Sequence, residues 1–216
     1  SVAPTGASVD IPTYCDDAAP VNITFSYTGG SLGTGATAEW YDDAGLTSNI
    51  GNGNGLTIAA PTATTTYYVR FEGSCPPPTA DQSVTVTVDN ASTAPTAANV
   101  DSPTYCDNAA PANITLSYTG GSLGTGATAE WYDDAGFTSS VGSGNNLVLA
   151  APLTSTIYYV RFEGSCNITT EQNVTVTVDN ASVAPTSASV DTPTYCDDVT
   201  PANVTLSFSG GSLGSG

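Results

Sequence analysis

Apolar and polar residues alternate along short segments of this chain, which is the pattern of β-strands with one buried face. In the clearest segment, Val21, Ile23, Phe25 and Tyr27 would face inward, with polar residues between them. The same alternation predicts strands within residues 3–9, 21–27, 37–41, 47–50, 56–59, 66–72 and 84–88. Glycine-rich clusters separate these segments, and no stretch has a helical period. The first copy of the pattern therefore predicts seven short strands.

The pattern recurs along the chain at a fixed period. Residues 26–45 are identical to residues 117–136, and residues 67–75 are identical to residues 158–166. Such self-similarity indicates a repeat architecture. We therefore predict three domains, at 1–91, 92–181 and 182–216, the last a partial copy with the first two strands only. Because so short a piece cannot bury a core of its own, we expect the parent chain to continue; strands added by a neighbouring molecule are the alternative.

Seven short strands, with a Trp on the third and a Tyr at the start of the sixth, are typical of an immunoglobulin-like sandwich. The predicted fold class is all-β, with tandem immunoglobulin-like β-sandwich repeats arranged end to end. The expected structural anchors of the cores are Trp40, Trp131, Tyr67 and Tyr158. Outward charges on neighbouring strands predict the cross-strand ion pairs Glu39–Arg70 and Glu130–Arg161. Tyr41 and Tyr68 would point outward, either as isolated exposed rings or as an aromatic patch for a sugar or a neighbouring subunit.

These features resemble a known family. They are Trp40-Tyr41, the glycine-rich stretch that follows Tyr27, Thr65-Thr66-Tyr67-Tyr68-Val69, the late Cys75 and a Val-Thr-Val strand. Together they resemble the immunoglobulin-like repeats of very large secreted bacterial surface proteins, typical of the Bacteroidota. The resemblance implies a role as a stalk, an adhesin or a filament subunit, and it implies no catalytic residues.

The five cysteines follow the repeat, with two in each full copy and one in the partial copy. They are Cys15, Cys75, Cys106, Cys166 and Cys196. Regular pairs in a domain of this kind predict structural disulfides. Pairing within a copy, Cys15–Cys75 and Cys106–Cys166, is the first expectation. Cys15–Cys166 is the alternative, because opposite poles of successive sandwiches would meet. Cys196 would then find its partner outside this fragment or in a neighbour.

Acidic residues cluster at the ends of predicted strands that share the pole facing the next copy. They are Asp10, Asp16, Asp17, Asp42, Asp43 and Asp89. Carboxylate oxygens suit Ca²⁺, so a calcium ion between copies is one hypothesis. The other is that these are solvated turn residues, since Asp favours turns through bonds to its own backbone. Apart from this possible structural Ca²⁺, we expect no cofactor.

The charge balance excludes several classes of partner and reaction. With 20 acidic residues, two Arg and no Lys or His, the formal net charge is −18. Such a surface repels nucleic acids and anionic lipids, and no apolar run is long enough for membrane insertion. Without His or Lys there is no serine triad and no His or Lys base. Asp42-Asp43 recur identically in the second full copy, which is typical of a building unit and not of an active site.

The sequence therefore favours a non-enzymatic structural repeat of an extracellular bacterial filament or cell-surface stalk. Its expected partners are further copies of the same repeat or chain. One alternative is an adhesin module that binds glycans or protein of a host or neighbouring cell, but its loops would vary between copies, and here they are mostly identical. Another is an accessory region of a large secreted enzyme. All three place the protein outside the cell or on its surface.

Overall fold

The structure is a computed structural model that describes residues 1–74, 77–199 and 203–215, and strands dominate its regular elements. The backbone divides into two compact units. The first comprises Ser1–Thr93, Gly121–Thr128 and Phe162–Thr169. The second comprises Ala94–Gly120, Ala129–Arg161 and Thr170–Gly216. The first unit thus combines the first copy with two segments that belong, by sequence, to the second copy.

The first copy forms a sandwich of two sheets. Its strands are β1 (Gly6–Val9), β2 (Thr13–Cys15), β3 (Asn22–Thr28), β4 (Thr37–Tyr41), β5 (Asn49–Asn52), β6 (Leu56–Ala59), β7 (Thr65–Glu72) and β8 (Gln82–Asp89). One sheet has the order β1-β3-β6 and the other β2-β8-β7-β4-β5. A short 3₁₀ helix, Asp16–Ala18, follows β2. The predicted all-β immunoglobulin-like fold is confirmed.

The core between these sheets is built from the alternating residues of facing strands. Ile23 and Phe25 of β3, Trp40 of β4 and Val69 of β7 have no exposed surface. The ring centroid of Phe25 lies 5.0 Å from that of Trp40 and 4.6 Å from that of Tyr67. The Trp40 indole donates from Nε1 to the carbonyl oxygen of Gly53 at 2.9 Å. Trp40 is therefore both buried and satisfied in its hydrogen bonding.

Strand β2 was not predicted from the sequence. It pairs in parallel with β8, in the register Tyr14↔Val88 and Cys15↔Asp89. Its three residues are too few to show a period, and its partner lies far along the chain. Burial explains why it forms: Tyr14 is 8% exposed, and its hydroxyl donates to the carbonyl oxygen of Pro61 at 2.5 Å. The consequence is that Cys15 lies beside the end of β8.

The second unit repeats this design. Its strands are β9 (Ala97–Val100), β10 (Thr104–Cys106), β11 (Asn113–Thr119), β12 (Thr128–Tyr132), β13 (Ser140–Ser143), β14 (Leu147–Ala150), β15 (Thr156–Glu163), β16 (Gln172–Asp179), β17 (Ser187–Val190) and β18 (Leu206–Ser209). β12 and β15 each extend by one or two residues into segments of the first unit. The Trp131 indole donates to Gly144 at 2.9 Å, and Tyr158 is 5% exposed. A 3₁₀ helix, Asp107–Ala109, follows β10.

Strands β17 and β18 belong to the third copy and pair only with each other among the described residues. Their antiparallel register runs from Ser187↔Ser209 to Val190↔Leu206. Leu206 is 80% exposed, whereas its equivalents Phe25 and Leu116 are fully buried. Phe208 is 73% exposed, whereas its equivalents Tyr27 and Tyr118 are half-buried. This hairpin therefore has the local structure of a copy without its core.

One predicted side-chain orientation and one predicted exposure are wrong. Val21 was expected inward but precedes β3 and is 85% exposed. Tyr41 was expected outward and open; it stands opposite Tyr68 in the β4–β7 register yet is only 5% exposed. The reason is that the guanidinium of Arg70 lies 5.1 Å above the Tyr41 ring, and the Tyr41 hydroxyl donates to Glu72. An open aromatic patch at Tyr41 is therefore excluded.

Candidate functional site: the disulfide-linked junction

A disulfide joins the first copy to a loop that belongs to the second. Cys15, at the end of β2, is bonded to Cys166 in the loop after β15, with their Cα atoms 5.5 Å apart. Both cysteines lie in the first unit. The pairing within copies, Cys15–Cys75 and Cys106–Cys166, is therefore wrong, and the alternative cross-copy bond is the one that the structure contains.

The unpredicted strand β2 supplies the physical reason for this pairing. Because β2 runs beside β8, Cys15 reaches the point where β8 ends and the chain passes into the second copy. Segment Phe162–Thr169, which carries Cys166, belongs to the same unit as β2 and β8. Within the described residues, Cys106 and Cys196 are free and exposed. Cys75 lies outside the described residues.

Hydrogen bonds to residues 90–93, the segment that connects the two full copies, flank the disulfide. We call residues 15–16, 90–93, 122–125 and 166–167 the first junction; all lie in the first unit. The backbone N–H of Ala91 donates to Oδ1 of Asp16 at 2.8 Å. The N–H of Ser92 donates to Oδ1 of Asn167 at 2.8 Å, and Nδ2 of Asn167 donates back to the carbonyl oxygen of Ser92 at 2.8 Å. The residues next to each cysteine therefore hold the connecting segment directly.

A second loop fixes the other side of the connecting segment. The N–H of Asn90 donates to Oγ1 of Thr125 at 2.9 Å, and the N–H of Thr125 donates to the carbonyl oxygen of Asn90 at 2.9 Å. The N–H of Gly124 donates to Oγ of Ser92 at 2.9 Å. A Cβ at Gly124 would stand 2.2 Å from the carbonyl oxygen of Asn90, so only glycine fits there. This close approach leaves the connecting segment little freedom.

The same contacts recur in the second unit. We call residues 106–107, 180–183 and 212–215 the second junction; all lie in the second unit. Asn180 and Ser215 exchange two hydrogen bonds, at 2.8 and 3.1 Å. The N–H of Ala181 donates to Oδ1 of Asp107 at 2.9 Å. A Cβ at Gly214 would stand 2.2 Å from the carbonyl oxygen of Asn180. The junction is thus a repeated feature of the chain.

Three of the six acidic residues named as candidate calcium ligands accept hydrogen bonds from backbone N–H groups. Asp10 accepts from the N–H of Thr24 at 2.9 Å, and Asp43 accepts from the N–H of Ser48 at 2.7 Å. These backbone hydrogen bonds lower the pKa of both carboxyls below their ordinary value. Asp16 accepts from Ala91 as described above.

Calcium binding by these six acids stays a prediction. In the described ranges, no three His, Cys, Asp or Glu side chains lie close enough together to hold a metal ion. The six acids concerned, Asp10, Asp16, Asp17, Asp42, Asp43 and Asp89, all fall in those ranges.

The predicted Glu39–Arg70 ion pair is also replaced. The two residues are cross-strand neighbours in the β4–β7 register, as expected. However, Nε of Arg70 donates to Oε1 of Glu72 at 2.5 Å, while Glu39 accepts from Thr37 and from Asn49. The hydroxyl of Tyr41 holds the Glu72 carboxylate beside Arg70, and this hydrogen bond is the main reason why the pKa of Glu72 is lowered.

The second copy builds the same outer-face cluster with an additional ring. The guanidinium of Arg161 lies 4.0 Å from the ring centroid of Phe137 and 5.3 Å from that of Tyr132. Phe137 replaces the Leu46 of the first copy, and both residues have a positive φ. Pairing of Glu130 with Arg161 stays a prediction. Each arginine thus covers an aromatic side chain and leaves little of it open to a ligand.

Sequence comparison identifies the family. Residues 2–89 and 93–179 each match the family described as "Ig-like domain CHU_C associated". The chain belongs to this family of immunoglobulin-like domains. The two matches cover the two full copies and confirm the immunoglobulin-like resemblance inferred from Trp40, Tyr67 and their neighbours. No curated protein is significantly similar to the chain in sequence.

Solved structures of low sequence identity share the fold. The I-band fragment I67–I69 from titin is 13% identical, with a TM-score of 0.52, and the match covers 85% of this chain and 68% of that one. The N-terminal four Ig domains of Dscam1 isoform 4.44 are 18% identical, with a TM-score of 0.40, and the match covers 82% and 46%. The full ectodomain of mouse nectin-like molecule 4 is 10% identical, with a TM-score of 0.40, and the match covers 82% and 65%. Of these three, the titin fragment has a TM-score above 0.5 and supports the fold assignment.

The family and the disulfide together characterise the module. Tandem immunoglobulin-like domains are consistent with a structural or adhesive repeat, and such domains are typical of extracellular or surface proteins. A disulfide fits an oxidising compartment. In the described part of the chain, no helix has the length and apolarity needed to cross a membrane.

Sequence reasoning missed the residues that hold the junction together. They are Asn90, Ser92, Gly124, Thr125 and Asn167. A signal was present, because Val-Asp-Asn-Ala-Ser ends both full copies and Ser-Leu-Gly recurs at 31–33, 122–124 and 212–214. These motifs show no alternation, and therefore strand prediction assigned them to turns without a partner.

Proposed function

We propose that this chain is a structural repeat of an extracellular filament or cell-surface stalk, in which each copy is fixed to the next through its junction. The observation that carries the proposal is the disulfide between Cys15 and Cys166 within a set of reciprocal hydrogen bonds. A covalent bond between successive copies resists their separation, which is what a stalk or filament requires.

Near-identity of the copies supports the same conclusion. Repeat proteins gain stability from contacts between neighbouring copies. Because the copies are nearly identical in sequence, the same junction can form between each copy and the next. The proposed partners are accordingly further copies of the same repeat, and the proposed location is the cell surface or the medium. The sequence contains no His or Lys to act as a catalytic base, which supports a role without catalysis.

A stalk or filament carries mechanical tension, and the disulfide changes how the chain extends under that tension. When the ends are pulled apart, the bond between Cys15 and Cys166 excludes the intervening segment from extension; its sequence separation is 151 residues. At about 3.5 Å per residue, this withholds roughly 500 Å of contour length. Residues 16–165, which include most of both full copies, would therefore be protected from complete extension.

Single-molecule stretching of the oxidised chain, combined with negative-stain electron microscopy, tests the proposal. We expect the unaltered chain to release about 500 Å less contour length than Cys15→Ser, with Cys196→Ser as the control. We also expect ordered linear assemblies by microscopy. Isolated particles that bind an immobilised glycan or host-protein array would contradict the structural role and favour the adhesin.

A further inference from the structure

Cys106 stands in the second unit where Cys15 stands in the first. Cys15 lies opposite Asp89 in the parallel β2–β8 pair, and Cys106 lies opposite Asp179 in the parallel β10–β16 pair. The residue after each cysteine accepts from the connecting segment, at 2.8 Å for Asp16 and 2.9 Å for Asp107. The two thiol positions are thus built alike, yet Cys15 is bonded and Cys106 is free and exposed.

An open cavity adjoins Cys106 in the second junction. It measures about 570 Å³ and is lined by Asp107, Asn108 and residues 181–184. In the first junction, the residue equivalent to Ser182 is Ser92, which exchanges two hydrogen bonds with Asn167 and is 6% exposed. Ser182 is exposed. The cavity therefore lies at the place that corresponds to Cys166 and Asn167 in the first junction.

We propose that Cys106 is one half of a second cross-copy disulfide, and that its partner is the cysteine of a further copy that corresponds to Cys166. The first cysteine of each copy then bonds to the second cysteine of the copy that follows. This inference does not depend on the filament proposal, since the bond would link copies in a stalk, a filament or an adhesin alike.

The bond forms by ordinary thiol chemistry. Two thiols lose two electrons and two protons to a small acceptor disulfide such as oxidised glutathione, which is reduced to two thiols. The reciprocal hydrogen bonds seen between Ser92 and Asn167 would position the incoming loop at Ser182. The loop residues next to the partner cysteine therefore decide how fast the correct bond forms.

The first experiment lengthens the full chain by a duplicate of residues 127–181, which completes the third copy. After refolding with oxidised and reduced glutathione, free thiols are alkylated and disulfides are mapped by mass spectrometry. We expect Cys106 bonded to the appended cysteine, with Cys15–Cys166 intact. A bond from the appended cysteine to Cys196, a bond from Cys106 to Cys75, or an alkylated Cys106 in a chain whose appended Trp is buried would overturn the proposal.

The second experiment uses the chain as it is and does not require the added copy to fold. A peptide with the sequence of residues 164–170, its cysteine activated as a thiopyridyl disulfide, transfers onto a protein thiol and releases thiopyridone. We expect reaction at Cys106 about 30-fold faster than at Cys196, because two hydrogen bonds worth about 1 kcal/mol each guide it. The control peptide has Ala in place of Asn167 and should lose this preference. Equal rates at the two thiols, or no effect of the Ala peptide, would overturn the proposal.

Discussion

Replacing Gly124 with Ala perturbs the first junction without touching either sandwich core. The new Cβ would stand 2.2 Å from the carbonyl oxygen of Asn90 and 2.8 Å from the backbone nitrogen of Ser92. Because carbon contacts are favourable near 3.5 Å, the loop must withdraw by about 1 Å. Withdrawal weakens the two Asn90–Thr125 hydrogen bonds, each worth about 1 kcal/mol, and overpacking adds about 1–3 kcal/mol. A conservative total is about 2 kcal/mol for local opening of the junction.

Hydrogen exchange read by mass spectrometry measures this opening directly. A loss of about 2 kcal/mol corresponds to roughly 30-fold faster exchange of the backbone N–H groups of Asn90 and Thr125. The matched control is Gly33→Ala, which lies in the same local sequence of the first copy. There the new Cβ would meet only Ser1, at 3.2 Å, so exchange at Asn90 should not change. Exchange of the N–H of Phe25 in β3 reports that the core is intact.

Equal exchange at Asn90 in Gly124→Ala and in the unaltered chain would refute the reasoning. So would equal acceleration in Gly124→Ala and Gly33→Ala, because the two glycines differ in their neighbours and not in their sequence context. Faster exchange at Phe25 as well would mean that the substitution disturbs the sandwich and not the junction alone.

Three further predictions concern stability. Trp40→Ala should lower the free energy of unfolding by about 3–5 kcal/mol in urea titrations, because a fully buried indole is lost; a change below about 1 kcal/mol would contradict the described core. The pKa values of Asp10 and Asp43 are lower in the folded chain than in the unfolded chain, so the unfolded chain binds protons at higher pH. The stability that these two carboxylates contribute is therefore present above the ordinary Asp pKa and is lost as the pH falls through their folded pKa values. The melting temperature should therefore drop on acidification, and less steeply in Asp10→Asn; a slope unchanged in that variant would argue against the effect. Native chain should resist trypsin, since Arg70 and Arg161 lie within β7 and β15 and there is no Lys, whereas urea-unfolded chain is cut; prompt cleavage at either Arg without denaturant would show that these strands open readily.

Strand positions and the fold could be predicted from the sequence because alternation is a local property. β4 and β6 have the predicted bounds, and β3 and β7 differ by a residue at their ends. Trp40 and Tyr67 are buried as the pattern requires. Each of these depends on the chemistry of residues within a few positions of one another.

The candidate site depends on pairings far apart in sequence, and those pairings have no local signature. β2 has three residues and a parallel partner more than 70 positions away, so nothing in its own sequence identified it. Without β2, Cys15 could not be placed beside the end of β8, and the within-copy disulfide was the natural assumption. The sequence predicted an ion pair between Arg70 and Glu39 because cross-strand register follows from the strand order. It could not show that the Tyr41 hydroxyl bonds to Glu72 and holds that carboxylate beside Arg70.

Tryptic mapping under non-reducing conditions tests the central claim, the cross-copy bond, most directly. With Arg70 and Arg161 as its only Lys or Arg residues, the unfolded and alkylated chain yields peptides 1–70, 71–161 and 162–216. The Cys15–Cys166 bond predicts that peptide 1–70 remains attached to peptide 162–216, while peptide 71–161 separates from both with Cys106 alkylated. All three peptides held together until a reductant is added, as pairing within each copy would require, would contradict the account.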